Sequence, residues 1–101
     1  MIFIYTTYKE LESAKAISRK IIEKRLAAGV NIWPIYALMG VRGECKEGEG
    51  YGLLIRTVDT KIQEIEDMIA GNHPGGIPMI ASFDTHRINR AYKDWMAQTI
   101  E

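Results

Sequence analysis

An α+β fold around an antiparallel sheet is what this sequence predicts, with elements in the order β-α-β-β-α-β and one further helix at the C-terminus. Short β-branched and aromatic runs alternate with stretches whose apolar residues recur every three or four positions, which gives the order of elements. Glycine and charge concentrate between the second and third strand candidates, where a hairpin must reverse. The 101 residues make one domain, residues 1–101, because dividing them would leave two cores too small to be stable. Hydrophobic residues are 47% and charged residues 26% of the chain, a balance that supports a buried core and excludes disorder.

Ile2 to Thr6 is β-branched and aromatic and reads as a buried strand closed by Thr7. Thr7 and Glu10 have the spacing of a capping box. Leu11, Ala14, Ile17, Ile21, Ile22 and Leu26 then recur at helical intervals, with Lys15, Arg19, Lys20 and Lys24 on other faces. Gly29 stands where a left-handed helix-ending residue is expected. Val30 to Met39 reads as a second strand, and Pro34, which donates no ladder hydrogen bond, places it at an edge or a bulge. Gly40 to Gly50 holds four glycines and five charges and reads as a flexible hairpin tip, with Tyr51 to Thr57 as the return strand. Ile62, Ile65, Met68 and Ile69 mark a second helix, entered through Asp59 and Thr60 and terminated by Gly71. Ile77 to Phe83 suits a fourth strand, and Ile88, Tyr92, Trp95, Met96 and Thr99 share one face of a last helix.

This order is the split βαβ pattern of ferredoxin-like domains, which carry helices on one sheet face only. Tyr5, Trp33, Tyr36, Leu38, Tyr51 and Phe83 supply more strand-borne surface than two short helices cover, so a further copy of the chain is expected on the other face. A hairpin from Val30 to Thr57 also outgrows a compact domain, and closed pairing with further copies of the chain would satisfy its edges.

Lysine and arginine number 13, as do aspartate and glutamate, so no overall field favours nucleic acid or a membrane surface. Cys45 is the only cysteine, which excludes an internal disulfide and points to a reducing compartment. The N-terminus lacks the basic segment and apolar length of a signal peptide, so a cytoplasmic location is expected. No phosphate loop, metalloprotease helix or dinucleotide fingerprint is present. Ser82, Asp84 and His86 have triad residue types, but strand alternation sets them in a row without base-to-nucleophile geometry, and no enzyme is expected.

Four stretches carry a family resemblance: Arg25-Leu26-Ala27-Ala28-Gly29-Val30-Asn31-Ile32, Leu53-Leu54-Ile55-Arg56-Thr57, His73-Pro74 with Ile77-Pro78-Met79-Ile80-Ala81, and Ala91-Tyr92-Lys93-Asp94-Trp95. At these intervals they resemble the CutA1 family. The resemblance implies a homotrimer in which hairpins and adjoining strands pair between subunits, a link to tolerance of copper and other divalent cations, and an architecture like that of PII signalling proteins, whose ligand clefts lie between subunits. It also exposes departures. Gly29 stands where the family has cysteine; Met39 and Val41 align with its tyrosine and tryptophan, and Gly75, Gly76 and Met79 with its tyrosine and two glutamates.

The candidate metal ligands are therefore His73, whose imidazole suits borderline divalent ions, and Cys45, a soft ligand for Cu2+ or mercury in the hairpin. In a PII-like trimer Arg56, Thr57, His73, Tyr92 and Trp95 would border an intersubunit cleft, arginine supplying charge and the aromatics a wall for a small-molecule ligand. The function expected is that of a non-enzymatic trimeric protein in divalent-metal tolerance; the alternative is a PII-like regulatory module that binds a small anion or nucleotide.

Overall fold

A computed structural model describes residues 1–101. Its elements are β1 (Ile2–Tyr8), α1 (Leu11–Glu23), β2 (Gly29–Val41), β3 (Glu44–Thr57), α2 (Ile62–Asn72), β4 (Ala81–Asp84) and α3 (Arg90–Thr99). A single 3-10 turn, Asp59–Lys61, leads into α2. The four strands form one sheet in the order β2-β3-β1-β4. Every pairing is antiparallel, so the predicted ferredoxin-like α+β fold with an added helix is the fold observed.

Alternation along β1 decides both faces of this sheet. Ile2, Ile4, Thr6 and Tyr8 are buried while Phe3, Tyr5 and Thr7 are only partly covered. Residues opposite one another in an antiparallel pair share a face. The first set therefore joins Thr57, Ile55 and Leu53 of β3 under the helices. Ala14, Ile17 and Ile21 of α1 and Ile65 and Ile69 of α2 close the core from above. On the opposite face lie Phe3 and Phe83, with ring centroids 5.7 Å apart, and Tyr5 stacked on Trp33 at 6.0 Å. Trp33, Phe83 and Trp95 remain exposed. Only 19 of 101 residues are buried, which leaves an apolar face without cover from its own chain.

The hairpin is the largest departure from expectation. Gly40 to Gly50 is no flexible tip: β2 and β3 pair in one unbroken register from Gly29↔Arg56 to Val41↔Glu44. The reversal needs only Arg42 and Gly43, both at positive φ (51° and 81°), the geometry of a type I′ turn whose twist matches the strands. Glycine and charge read as loop, yet the two strands stay paired to the tip, each leaving its outer edge open beyond Tyr51, and at about 3.3 Å per residue the hairpin stretches the molecule to 46 Å. Tyr36 donates to Glu47 Oε1 at 2.7 Å across it. Pro34 fits because β2 is an edge strand.

Smaller corrections share a cause, which is that hydrogen-bond geometry overrides residue spacing. The Thr7 and Glu10 capping box does not form, because β1 runs on to Tyr8 and the helix N-cap, Glu10, makes no side-chain cap bond. Arg25, not Gly29, takes the left-handed position after α1, with φ 57°. That conformation directs its guanidinium to the carbonyls of Thr99 (3.1 Å) and Gln98 (2.9 Å), while its own carbonyl accepts from Glu101 N–H at 3.0 Å. One residue thus secures the C-terminus of α3. Gly71 lies inside α2, which ends at Asn72 ahead of His73-Pro74. The fourth strand is shorter than Ile77 to Phe83, beginning at Ala81; Ile77 is 98% exposed.

Tyr8 is 3% exposed and its hydroxyl has no hydrogen-bond partner. Burial pushes its phenol up to about 12, above the ordinary value of about 10. Between those values the unfolded chain binds fewer protons than the folded one, so stability falls as pH rises. Tyr8→Phe should leave neutral-pH stability unchanged or slightly higher and flatten the decline between pH 10 and 12, as measured by urea unfolding across that range.

Candidate functional site

Of the residues expected to line a cleft, the fold brings together Arg56, Tyr92 and Trp95. Arg56 lies near the end of β3 on the face away from α1 and α2, since it pairs with Phe3 on one side and Gly29 on the other. Its Cζ is 6.0 Å from the centroid of the Tyr92 ring, within reach of a cation–π contact. Tyr92 is tilted against Trp95 with centroids 5.3 Å apart. Trp95 is half-exposed, and Met96, not Trp95, anchors α3 in the protein interior; core packing, the more ordinary role for a tryptophan, is not what this one does.

Gly29 and Arg56 are sterically coupled. A Cβ at position 29 would fall into the guanidinium, touching Nη2 and lying 2.9 Å from Cζ. The glycine that replaces the family's expected cysteine is therefore what lets Arg56 lie flat across β2. A thiol cannot be restored there without moving a cation out of the way.

Thr57 does not belong to this group. It is fully buried on the helix side, and its hydroxyl donates to Leu26 O at 2.6 Å, tying β3 to the segment after α1. His73 also stands apart. Its ring packs on Tyr8 with centroids 4.5 Å apart, and Tyr8 is five residues from the Phe3 that pairs with Arg56, about 17 Å along the strand. Its Nδ1 accepts from Gly75 N–H at 3.2 Å, so Nε2 carries the hydrogen and donates to Thr7 O at 2.8 Å. Thr7 is two residues past Tyr5, where β4 pairing stops, so this imidazole occupies a carbonyl on the edge that β4 leaves open.

The metal-ligand expectation was tested on the same geometry. Both ring nitrogens of His73 are bonded within the chain. Cys45 is an exposed free thiol six residues from Tyr51, the partner of Tyr8, about 20 Å away along β3. No three His, Cys, Asp or Glu side chains gather at metal-binding spacing. A groove of about 390 Å³ at the foot of the hairpin is lined by Lys9, Glu10, Leu11, Glu12, Glu49 and Tyr51, but its carboxylates fall under the same finding. Within one chain the residues present do not fit a divalent ion. Asp84 of the triad-like row faces the N-terminal amine at 3.7 Å, and no hydrogen bond joins it to Ser82 or His86.

A ferredoxin-like α+β domain with α1 and α2 on one face, an aromatic opposite face and a long projecting hairpin is the class of protein these features define. The profile of the family described as CutA1 divalent ion tolerance protein matches residues 2–99. The divalent-cation tolerance protein CutA of Thermococcus kodakarensis is 33% identical, over 98% of this chain and 95% of that protein. The structure of the periplasmic divalent cation tolerance protein CutA from Archaeoglobus fulgidus superposes with a TM-score of 0.95 at 31% identity, over the whole of both chains. CutA1 from Pyrococcus horikoshii gives 0.94 at 26% identity, covering 100% of this chain and 99% of that one. This chain belongs to the CutA1 divalent ion tolerance family.

Thr57→Val should cost about 1–3 kcal/mol in urea unfolding, because it leaves Leu26 O buried without its donor. Thr57→Ser should recover most of the loss.

Proposed function

We propose that this chain works as a non-enzymatic homotrimer in tolerance of, or response to, divalent cations such as copper. The observation that supports assembly is the sheet face opposite α1 and α2, where Phe3, Phe83, Tyr5 and Trp33 form two aromatic pairs that their own chain covers only in part. Burying such a face against further copies removes apolar area from water and supplies partners for the β2 and β4 edges. Relatives carry the name divalent-cation tolerance protein CutA, which supports the metal connection. The ligand geometry supports at most weak binding by a single chain, so the metal role is exercised by the assembly or through a partner. The exposed thiol of Cys45 supports a reducing, cytoplasmic location, which cell fractionation tests directly.

Sedimentation equilibrium should give three times the 11.5 kDa chain mass down to nanomolar protein. Trp33→Glu, placing a charge in the aromatic face, should lower that mass. Calorimetry with Cu2+ and Zn2+ should show only weak binding, reduced further by His73→Ala and Cys45→Ser. A strain lacking the chain should grow less well in raised copper, rescued by the wild type and not by Trp33→Glu. A folded nanomolar monomer would overturn the assembly reading, and normal growth of the deletion strain would overturn the tolerance reading.

A PII-like regulatory module that binds a small anion is the second reading. It is favoured by one specific observation, the positive charge of Arg56 that meets no carboxylate.

A further inference from the structure

We propose that the guanidinium of Arg56, held against Tyr92, is a receptor for an oxyanion, either a carboxylate or a phosphate. This rests on the anion-binding reading above and names its site and ligand class.

Arginine has five N–H donors in a fixed fork and keeps its charge at all working pH values. None of the five is bonded inside this chain: the side-chain hydrogen bonds and ion pairs of the molecule do not include Arg56. Its Nε is sealed from solvent without a partner. Nη1 and Nη2 are likewise unbonded but keep contact with solvent, since Nε alone of the three is both buried and unpartnered. A half-buried cation in this state is costly, and a charge-assisted bond to an incoming oxyanion offsets that cost.

The guanidinium is also held in place. Gly29 lies beneath it, where any side chain would displace it, and the Tyr92 ring flanks it at 6.0 Å. An oriented fork loses little freedom when it grips a planar or tetrahedral oxyanion. The surroundings add charge of the same sign. Tyr92 is in the first turn of α3, whose N-cap Asn89 supplies no side-chain cap bond, so its opening amides leave the positive helix end unneutralised. The guanidinium and this helix end carry charge of the sign that attracts an anion.

The carboxylate can come from a free small molecule or from a second copy of the chain, and the experiment separates the two. In phosphate-free buffer, the Arg56 Nε–Hε resonance, assigned by its loss in Arg56→Lys, is followed while inorganic phosphate and, separately, succinate are added to the intact protein. For a free ligand the resonance should shift saturably. Affinity, read from Trp95 fluorescence in a Trp33→Phe background, should fall about tenfold or more in Arg56→Gln. Arg56→Lys should lie between, keeping charge without the fork. Gly29→Ala, which keeps the charge but displaces the guanidinium, should weaken binding too, and thermal melts establish that each variant is folded. For a carboxylate from a second copy, Hε should be shifted and protected before any addition, and Arg56→Gln should lower the mass seen in sedimentation. Both results uphold an oxyanion on Arg56. An Hε in fast exchange, indifferent to phosphate, to succinate and to assembly, would overturn it. Sedimentation of the same samples keeps the readings apart: anion binding by a monomer would defeat the trimer and leave this site standing.

Discussion

Everything in this molecule depends on β1 being threaded between β3 and β4. Seven residues, Ile2 to Tyr8, pair with β3 along their whole length and with β4 over the first half. With both edges engaged, the period of two along β1 cannot slip without exchanging the two faces of the sheet. That constraint puts Ile4 and Thr6 at zero exposure under the helices and leaves Phe3 and Tyr5 to the other side. The same parity runs through β3 and β2, so the position of Arg56 beside Gly29, and of Trp33 beside Gly52, is inherited from the central strand.

Where β1 loses its second neighbour, other groups complete the edge. His73 does so at Thr7, and Thr85 does so at the opposite end, donating to Met1 O through N–H at 3.0 Å and through Oγ1 at 3.1 Å. The histidine most attractive as a metal ligand is thus engaged as a substitute for strand pairing. Its two nitrogens are committed before any ion arrives, which explains why residue type alone overstated its chemistry.

How much was legible follows from what kind of signal each feature leaves. The order of elements, both main helices and the uncovered sheet face were readable, because apolar periodicity reports burial directly. The hairpin was misread between Gly40 and Gly50, since glycine and charge look the same in a solvated ladder as in a loop. Local spacing misplaced the ends of α1, where Arg25 adopts positive φ with no sequence mark, stabilised by contacts with Thr99 and Gln98, 74 and 73 residues away. At the site, the structure brings Arg56, Tyr92 and Trp95 together, whereas Thr57, expected beside them, is turned into the core. Neighbours on a strand point to opposite faces. The coupling of Gly29 to Arg56 had one available signal, the loss of cysteine after the paired alanines, but only the register shows what fills the space.

The long hairpin carries an implication for how such a chain can change over generations. Thirteen successive pairs join β2 to β3 with no bulge, ending in a turn of two residues. Gly48, Gly50 and Gly52 fall on one side of that ribbon, and Glu47, Glu49 and Tyr51 on the other. Inserting or deleting one residue within either strand would turn every position beyond it inside out, placing carboxylates where glycines had been, unless a bulge absorbed the change. Viable length variants of this arm should therefore arise by matched two-residue steps in both strands, and the ribbon will lengthen or shorten by whole pleats.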